Sequence, residues 1–213
     1  MKARFEASLM QYVVRIIGWF VLTIVTLGIG GIWVAYDQFK WPVENSSLGD
    51  RKVTFTATFA SFLGRLLVWV LVSIVTLGFG AVWVAYDATK WMVESIEVDG
   101  QRFTFNGTFT EFIGKVVIWL VVTIITLGLG GIWVNYDALK WTVERSTFAR
   151  GGAVHFTHTF TGYIGKVVIW ALVTIFTLGI GGIWAGYDYY RWLADGITVS
   201  EQPALAPVLP YAA

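Results

Sequence analysis

TLGIGGIW occupies residues 26–33, and the phrase returns as TLGFGAVW at 76–83, TLGLGGIW at 126–133 and TLGIGGIW at 177–184. Its threonines, Thr26, Thr76, Thr126 and Thr177, are spaced 50, 50 and 51 residues apart. The tryptophans keep the same period: Trp19, Trp69, Trp119 and Trp170; Trp33, Trp83, Trp133 and Trp184; Trp41, Trp91, Trp141 and Trp192. Recurrence at this interval marks a repeat architecture in which every unit does the same structural job. The units are 1–50, 51–100, 101–150 and 151–200, followed by a proline-containing tail at 201–213 that is expected to be flexible.

Each phrase sits inside an apolar run. No charged residue interrupts 16–36, 66–86, 116–136 or 167–187. A run of this length is enough for one helical span of about 30 Å. Glycine offers a second reading, because it reaches positive φ and ends helices. Gly28, Gly30 and Gly31 cluster at the middle of the first run, matched by Gly78 and Gly80, by Gly128, Gly130 and Gly131, and by Gly179, Gly181 and Gly182. A plain helix with small residues for close packing stays open as the alternative. Charge favours the hairpin. Single spans would divide the Lys and Arg residues seven against eight between the two sides, whereas hairpins put all fifteen on one side, as the excess of bases in cytoplasmic loops requires. The arms are short, about 24 Å for 62–77 and about 20 Å for 81–94. The hairpins are therefore expected to thin the bilayer or to be re-entrant, and to pack together or oligomerise.

Between the runs lie polar stretches such as ESIEVDGQRFTFNGT at 94–108. Asp99-Gly100 is a type I′ turn signal flanked at period two by Ile96, Val98, Phe103 and Phe105, which predicts a small β-hairpin. The chain begins and ends with half of such a hairpin. Pairing of 3–8 with 196–200 would cover both edges and close a pseudo-fourfold ring. The expected fold is therefore mainly α and integral to a membrane, with four glycine-broken helical hairpins in the bilayer and short β-hairpins outside it.

A polar line recurs at offsets i, i+3 and i+7: Asp37, Lys40, Glu44; Asp87, Lys90, Glu94; Asp137, Lys140, Glu144; Asp188, Arg191, Asp195. These offsets share a helix face. Two readings stand. One is an interfacial anchor in which acid pairs with base along the helix, with Tyr36 and Trp41 at headgroup level. The other is a ring of acids around a polar path, since ionisable groups at membrane depth are functional by default. A second basic set, Arg15, Arg65, Lys115 and Lys166, is placed facing lipid, where it reaches phosphates or pairs with the stripe.

Composition excludes several classes. The chain is 56% hydrophobic and 14% charged with mean hydropathy +0.66, against about a quarter charged in a soluble domain. A net charge of +1 argues against nucleic acid. With no cysteine there is no disulfide or thiolate chemistry. His155 and His158 face opposite sides of a strand and share no metal. GxGG in an apolar setting is not a dinucleotide loop, so no cofactor and no catalytic residue is expected, and no cleavable leader is visible at the first apolar run.

The strand FTFNGT, the apolar run ending in TLG and the Trp-containing segment with its aromatic–basic end resemble the YjgN-like bacterial inner-membrane proteins, a family of unknown function. The likeness covers most of 1–200, with GxGG standing where that pattern has an aromatic–proline step. It implies a polytopic protein of the bacterial inner membrane, with loops and termini cytoplasmic, and supplies no activity. The functional expectation is a non-enzymatic structural or scaffolding membrane protein that contacts membrane lipids. It would self-associate or join a membrane complex and shape the bilayer. The alternative is a channel or solute path lined by the Asp/Lys stripe.

Overall fold

The computed structural model describes residues 1–148 and 151–200; the expected flexible tail lies outside them. The chain repeats one βααβ order four times. Unit one holds β1 (Ala3–Phe5), α1 (Leu9–Val25), α2 (Gly31–Glu44) and β2 (Ser46–Leu48); unit two β3 (Arg51–Phe55), α3 (Phe59–Val75), α4 (Ala81–Glu94) and β4 (Ile96–Val98). Unit three holds β5 (Gln101–Phe105), α5 (Phe109–Ile125), α6 (Gly131–Glu144) and β6 (Ser146–Phe148); unit four β7 (Gly152–Phe156), α7 (Phe160–Phe176), α8 (Gly181–Asp195) and β8 (Ile197–Val199).

The integral-membrane, mainly-α expectation is overturned. The first helices are 17 residues and the second 14 or 15, so at 1.5 Å per residue they reach about 25 and 22 Å, short of an ~30 Å hydrocarbon core. Among the described residues no helix is long and apolar enough to cross a membrane. Transmembrane helices and an integral inner-membrane location fall with that observation. The uncharged runs look long enough in sequence because counting continues through the turn.

The β content is also larger in organisation than separate hairpins. All eight strands form one antiparallel sheet in the order β1 to β8. Tight turns join β2–β3 and β4–β5; the helix pairs join β1–β2, β3–β4, β5–β6 and β7–β8, and β6 pairs with β7. At the Asp99-Gly100 turn both residues have positive φ, as a type I′ turn requires. The sheet curls until its edges meet. The Val199 amide donates to the Met1 carbonyl at 2.7 Å, the Met1 nitrogen donates to the Val199 carbonyl at 2.6 Å, and Lys2 bridges Thr198. The two edges of the sheet do pair, through Met1 and Lys2 against Val199 and Thr198 rather than through 3–8.

Equivalent residues fill the middle of this nearly closed sheet. Ala3 pairs with Leu48, Val53 with Val98, Phe103 with Phe148, and Val154 with Val199. These side chains form one cluster in which Leu48, Val98 and Val199 are almost wholly buried. Around it, four aromatic clusters bind each unit to the next. Phe55 meets Trp91 of its own unit at 5.7 Å and Tyr36 of the unit before at 6.0 Å. Phe105 meets Trp141 and Tyr86 likewise, and Phe5 meets Trp41 and Tyr187, which closes the circle. The same tyrosines donate to carbonyls ahead of the following first helix: Tyr36 to Ala57, Tyr86 to Gly107, Tyr136 to His158 and Tyr187 to Ala7.

Each helix pair turns at the glycine phrase. Gly28 takes φ +93, a left-handed value that favours glycine. At Gly30 the need is space: a Cβ would lie 2.6 Å from Thr26 Oγ1 and 2.8 Å from Leu22 Cγ. At Gly31 an added Cβ meets nothing, and unit two carries Ala81 there. Gly30→Ala is therefore expected to cost about 1–3 kcal/mol, and Gly31→Ala to stay within about 0.5 kcal/mol of the parent. Thermal unfolding of the two variants side by side checks this order.

Candidate functional site

The four helix pairs end in four apices on the side away from the sheet. At each apex a non-glycine residue is left-handed: Leu27 (φ 51), Leu77 (52), Leu127 (51) and Leu178 (52). Their relative exposures are 93, 89, 94 and 94%. Ile29, Phe79, Leu129 and Ile180 beside them are also strongly exposed, as are Phe20, Val21, Ile24 and Val25 along α1 and their counterparts. The apices thus form an apolar crown, far more than the few hundred Å² of apolar patch that a monomer ordinarily leaves open.

The backbone N–H groups of the crown are satisfied within it. In unit one the Thr26 amide donates to Leu22, Leu27 to Ile24, Gly28 to Thr23, Ile29 to Thr26 and Gly31 to Gly28. Gly30 donates to Thr26 Oγ1 at 2.7 Å, and that hydroxyl donates to the Leu22 carbonyl at 2.7 Å. Every N–H from Thr26 to Gly31 has a partner inside its own hairpin, and the same holds for 76–81, 126–131 and 177–182.

Below the crown lies a collar of charge. Asp37 receives Arg15 through Nε at 2.6 Å and through Nη2, and the Trp19 indole N–H at 2.7 Å. Asp87 receives Arg65 and Trp69, Asp137 receives Lys115 and Trp119, and Asp188 receives Lys166 and Trp170, all at 2.7–2.9 Å. The sequence-predicted basic set and the first acid of the stripe therefore come together across the hairpin. Within the stripe the remaining base and acid pair along the helix: Lys40–Glu44, Lys90–Glu94 and Lys140–Glu144 at 3.7–3.8 Å. Arg191 and Asp195 hold these places in unit four. The predicted turn glycines all lie at the apices. His155 sits on β7 opposite Thr198, while His158 stacks on Trp192 and bonds its carbonyl, so the two do not converge.

Sequence reading missed the helix caps. Thr58, Thr108, Thr159 and Ser8 cap the first helices, with full capping boxes at Ser8–Gln11 and Thr108–Glu111. The signal was present as S-x-x-Q before the first apolar run and T-x-x-E before the third. It also missed the phenols packed at the base of the hairpins. Burial, joined by nearby Tyr190, pushes Tyr12 up to about 12; burial, with Tyr163 and Tyr190 adding, pushes Tyr189 up to about 12. A raised phenol favours the neutral form in the folded state. Its contribution is whole below the ordinary value of 10 and is lost as pH rises from 10 towards 12, because the unfolded phenol ionises first. Near-ultraviolet circular dichroism across that range is expected to show unfolding together with tyrosinate absorbance.

The fold and this repeated arrangement define a class: a single-chain, four-unit βααβ repeat protein whose sheet carries apolar helical hairpins with their bases neutralised from within. The chain belongs to a bacterial family, described as "Bacterial protein of unknown function (DUF898)", whose model matches residues 1–211. That family is the YjgN-like one named by the resemblance. No curated protein and no solved structure matches the chain.

Proposed function

We propose that the protein is a structural scaffold that seats its crown in one leaflet of a lipid bilayer without crossing it. The observation that carries this reading is the leucine at each apex. A left-handed L-residue costs about 1–2 kcal/mol, and Gly or Asn would fill the position without that cost in water. The same strained, fully exposed leucine nevertheless appears four times. Strain retained in this way points to function, and the function that rewards an apolar tip is contact with hydrocarbon.

Two further features support the reading. Water would satisfy a surface turn, whereas in lipid every backbone group must find its partner inside the protein, and the apical amides do so. Depth agrees too. Arg15 lies ten residues below Val25 on α1, or about 15 Å, which is half of an ~30 Å hydrocarbon core. The Arg15–Asp37 pair then sits at the headgroups, and the sheet stands in water. Four wedges in one leaflet expand that leaflet alone, which suits a membrane-shaping scaffold.

The test is addition of detergent-purified protein to preformed vesicles. Co-flotation is expected, with a cysteine at Asp99→Cys fully labelled by an impermeant reagent from outside. Protein that stays at the bottom of the gradient, or label protected by the vesicle, would overturn the proposal.

A further inference from the structure

We infer that the crown takes zwitterionic phospholipid as its host and has no preference for anionic lipid; this rests on the leaflet reading above. Proteins that dock on anionic membranes do so with unpaired bases, each contributing about 1 kcal/mol near the surface. The described residues of the collar hold bases and acids in equal number. In unit one Arg15 is cancelled by Asp37 and Lys40 by Glu44. Unit two repeats the cancellation with Arg65–Asp87 and Lys90–Glu94. Unit three does so with Lys115–Asp137 and Lys140–Glu144, and it adds a further base and a further acid already joined, Arg145 to Glu111 at 2.9 Å. Unit four pairs Lys166 with Asp188 and carries one further base, Arg191, and one further acid, Asp195, so its charges sum to zero.

Cancellation unit by unit is more than a low net charge. Every base of the collar except Arg191 has its acid within hydrogen-bond or ion-pair reach, so at those eight an anionic lipid phosphate would have to displace a carboxylate already in place. The acids themselves face the same surface and would be repelled by it. A dipolar headgroup meets no such conflict. The groove beside α5 and α6, about 580 Å³, is lined by Lys115, Arg145, Glu111, Glu144 and Trp141, charges of both signs that sum to zero. A comparable groove of about 640 Å³ lies at the matching place in unit one, along Gln11, Arg15, Trp41 and Asn45.

The experiment compares flotation with phosphatidylcholine vesicles and with phosphatidylserine vesicles, each at low and high salt. Partition into the two is expected to agree within about two-fold and to be insensitive to salt. A ten-fold or greater preference for phosphatidylserine that salt removes would overturn the inference while leaving the leaflet reading standing. Binding to neither vesicle would remove both. The triple variant Glu44→Gln, Glu94→Gln, Glu144→Gln, all at partly exposed positions, supplies the internal control. It releases three lysines and is expected to gain an anionic preference of roughly ten-fold or more that high salt abolishes; an unchanged lipid preference would contradict the role assigned to these pairs.

Discussion

Replacing Leu27, Leu77, Leu127 and Leu178 together by asparagine is expected to abolish vesicle binding and leave the fold intact. Each apical leucine is exposed in the isolated molecule and would bury its side chain in hydrocarbon for about 1.5–3 kcal/mol. Four of them contribute roughly 6 kcal/mol or more, about 10⁴-fold in partition. The fold moves in the other direction. Asparagine tolerates the left-handed conformation that leucine resists, so the variant is expected to melt no lower than the parent in detergent. The opposed signs separate the two roles. A core substitution would lower stability and binding together; this one lowers binding alone. Undiminished flotation of a folded quadruple variant would leave the apical leucines without a purpose and the proposal without its support.

The second large effect is at Asp37. Its carboxylate is 2% exposed and holds Arg15 and Trp19 in place. Removing one partner of a buried pair strands the other charge at about 3–5 kcal/mol. Arg15 is about one-third exposed and rehydrates in part, so Asp37→Ala is expected to cost about 2–4 kcal/mol. Asp87, Asp137 and Asp188 have side chains 21, 17 and 15% exposed, and their alanine variants are expected to cost less. The double variant Asp37→Leu, Arg15→Met is expected to recover most of the loss, because a buried pair exchanged for apolar groups is often neutral. Unfolding of the five proteins in detergent checks the series; equal losses at all four aspartates would contradict the burial argument.

What the sequence made legible is the local chemistry. The period fixes four units, the glycines mark the reversal, and Asp99-Gly100 marks a turn with both residues at positive φ. What it concealed is pairing at a distance. β3 and β4 are three to five residues long and are joined through two helices, so no local pattern shows that Val53 faces Val98. Without that pairing the strands read as separate hairpins rather than one sheet around Leu48, Val98 and Val199. The membrane-spanning reading failed on a similar point: residues 16–36 are uncharged throughout, but the α1 helix stops at Val25. The partner of Asp37, offered in the sequence only as one of two roles for the basic set, could have been named outright. Arg15 and Asp37 lie 22 residues apart and centre on Thr26, and the same spacing recurs at 65–87, 115–137 and 166–188. A chain folded back at the threonine must bring them together. The offset of three to Lys40 drew attention instead, because helix-face arithmetic sees only one helix.

The most direct measurement is depth. The chain has no cysteine, so a single spin label can be placed at 27, 77, 127 or 178, and at Asp99 as the aqueous reference. Collision with oxygen and with a water-soluble nickel chelate then reports immersion in phosphatidylcholine vesicles. All four apical labels are expected at the same depth, about 15 Å below the headgroups and close to the midplane, with the reference label in water. Apical labels that meet the nickel reagent as freely as the reference does would contradict insertion of the crown.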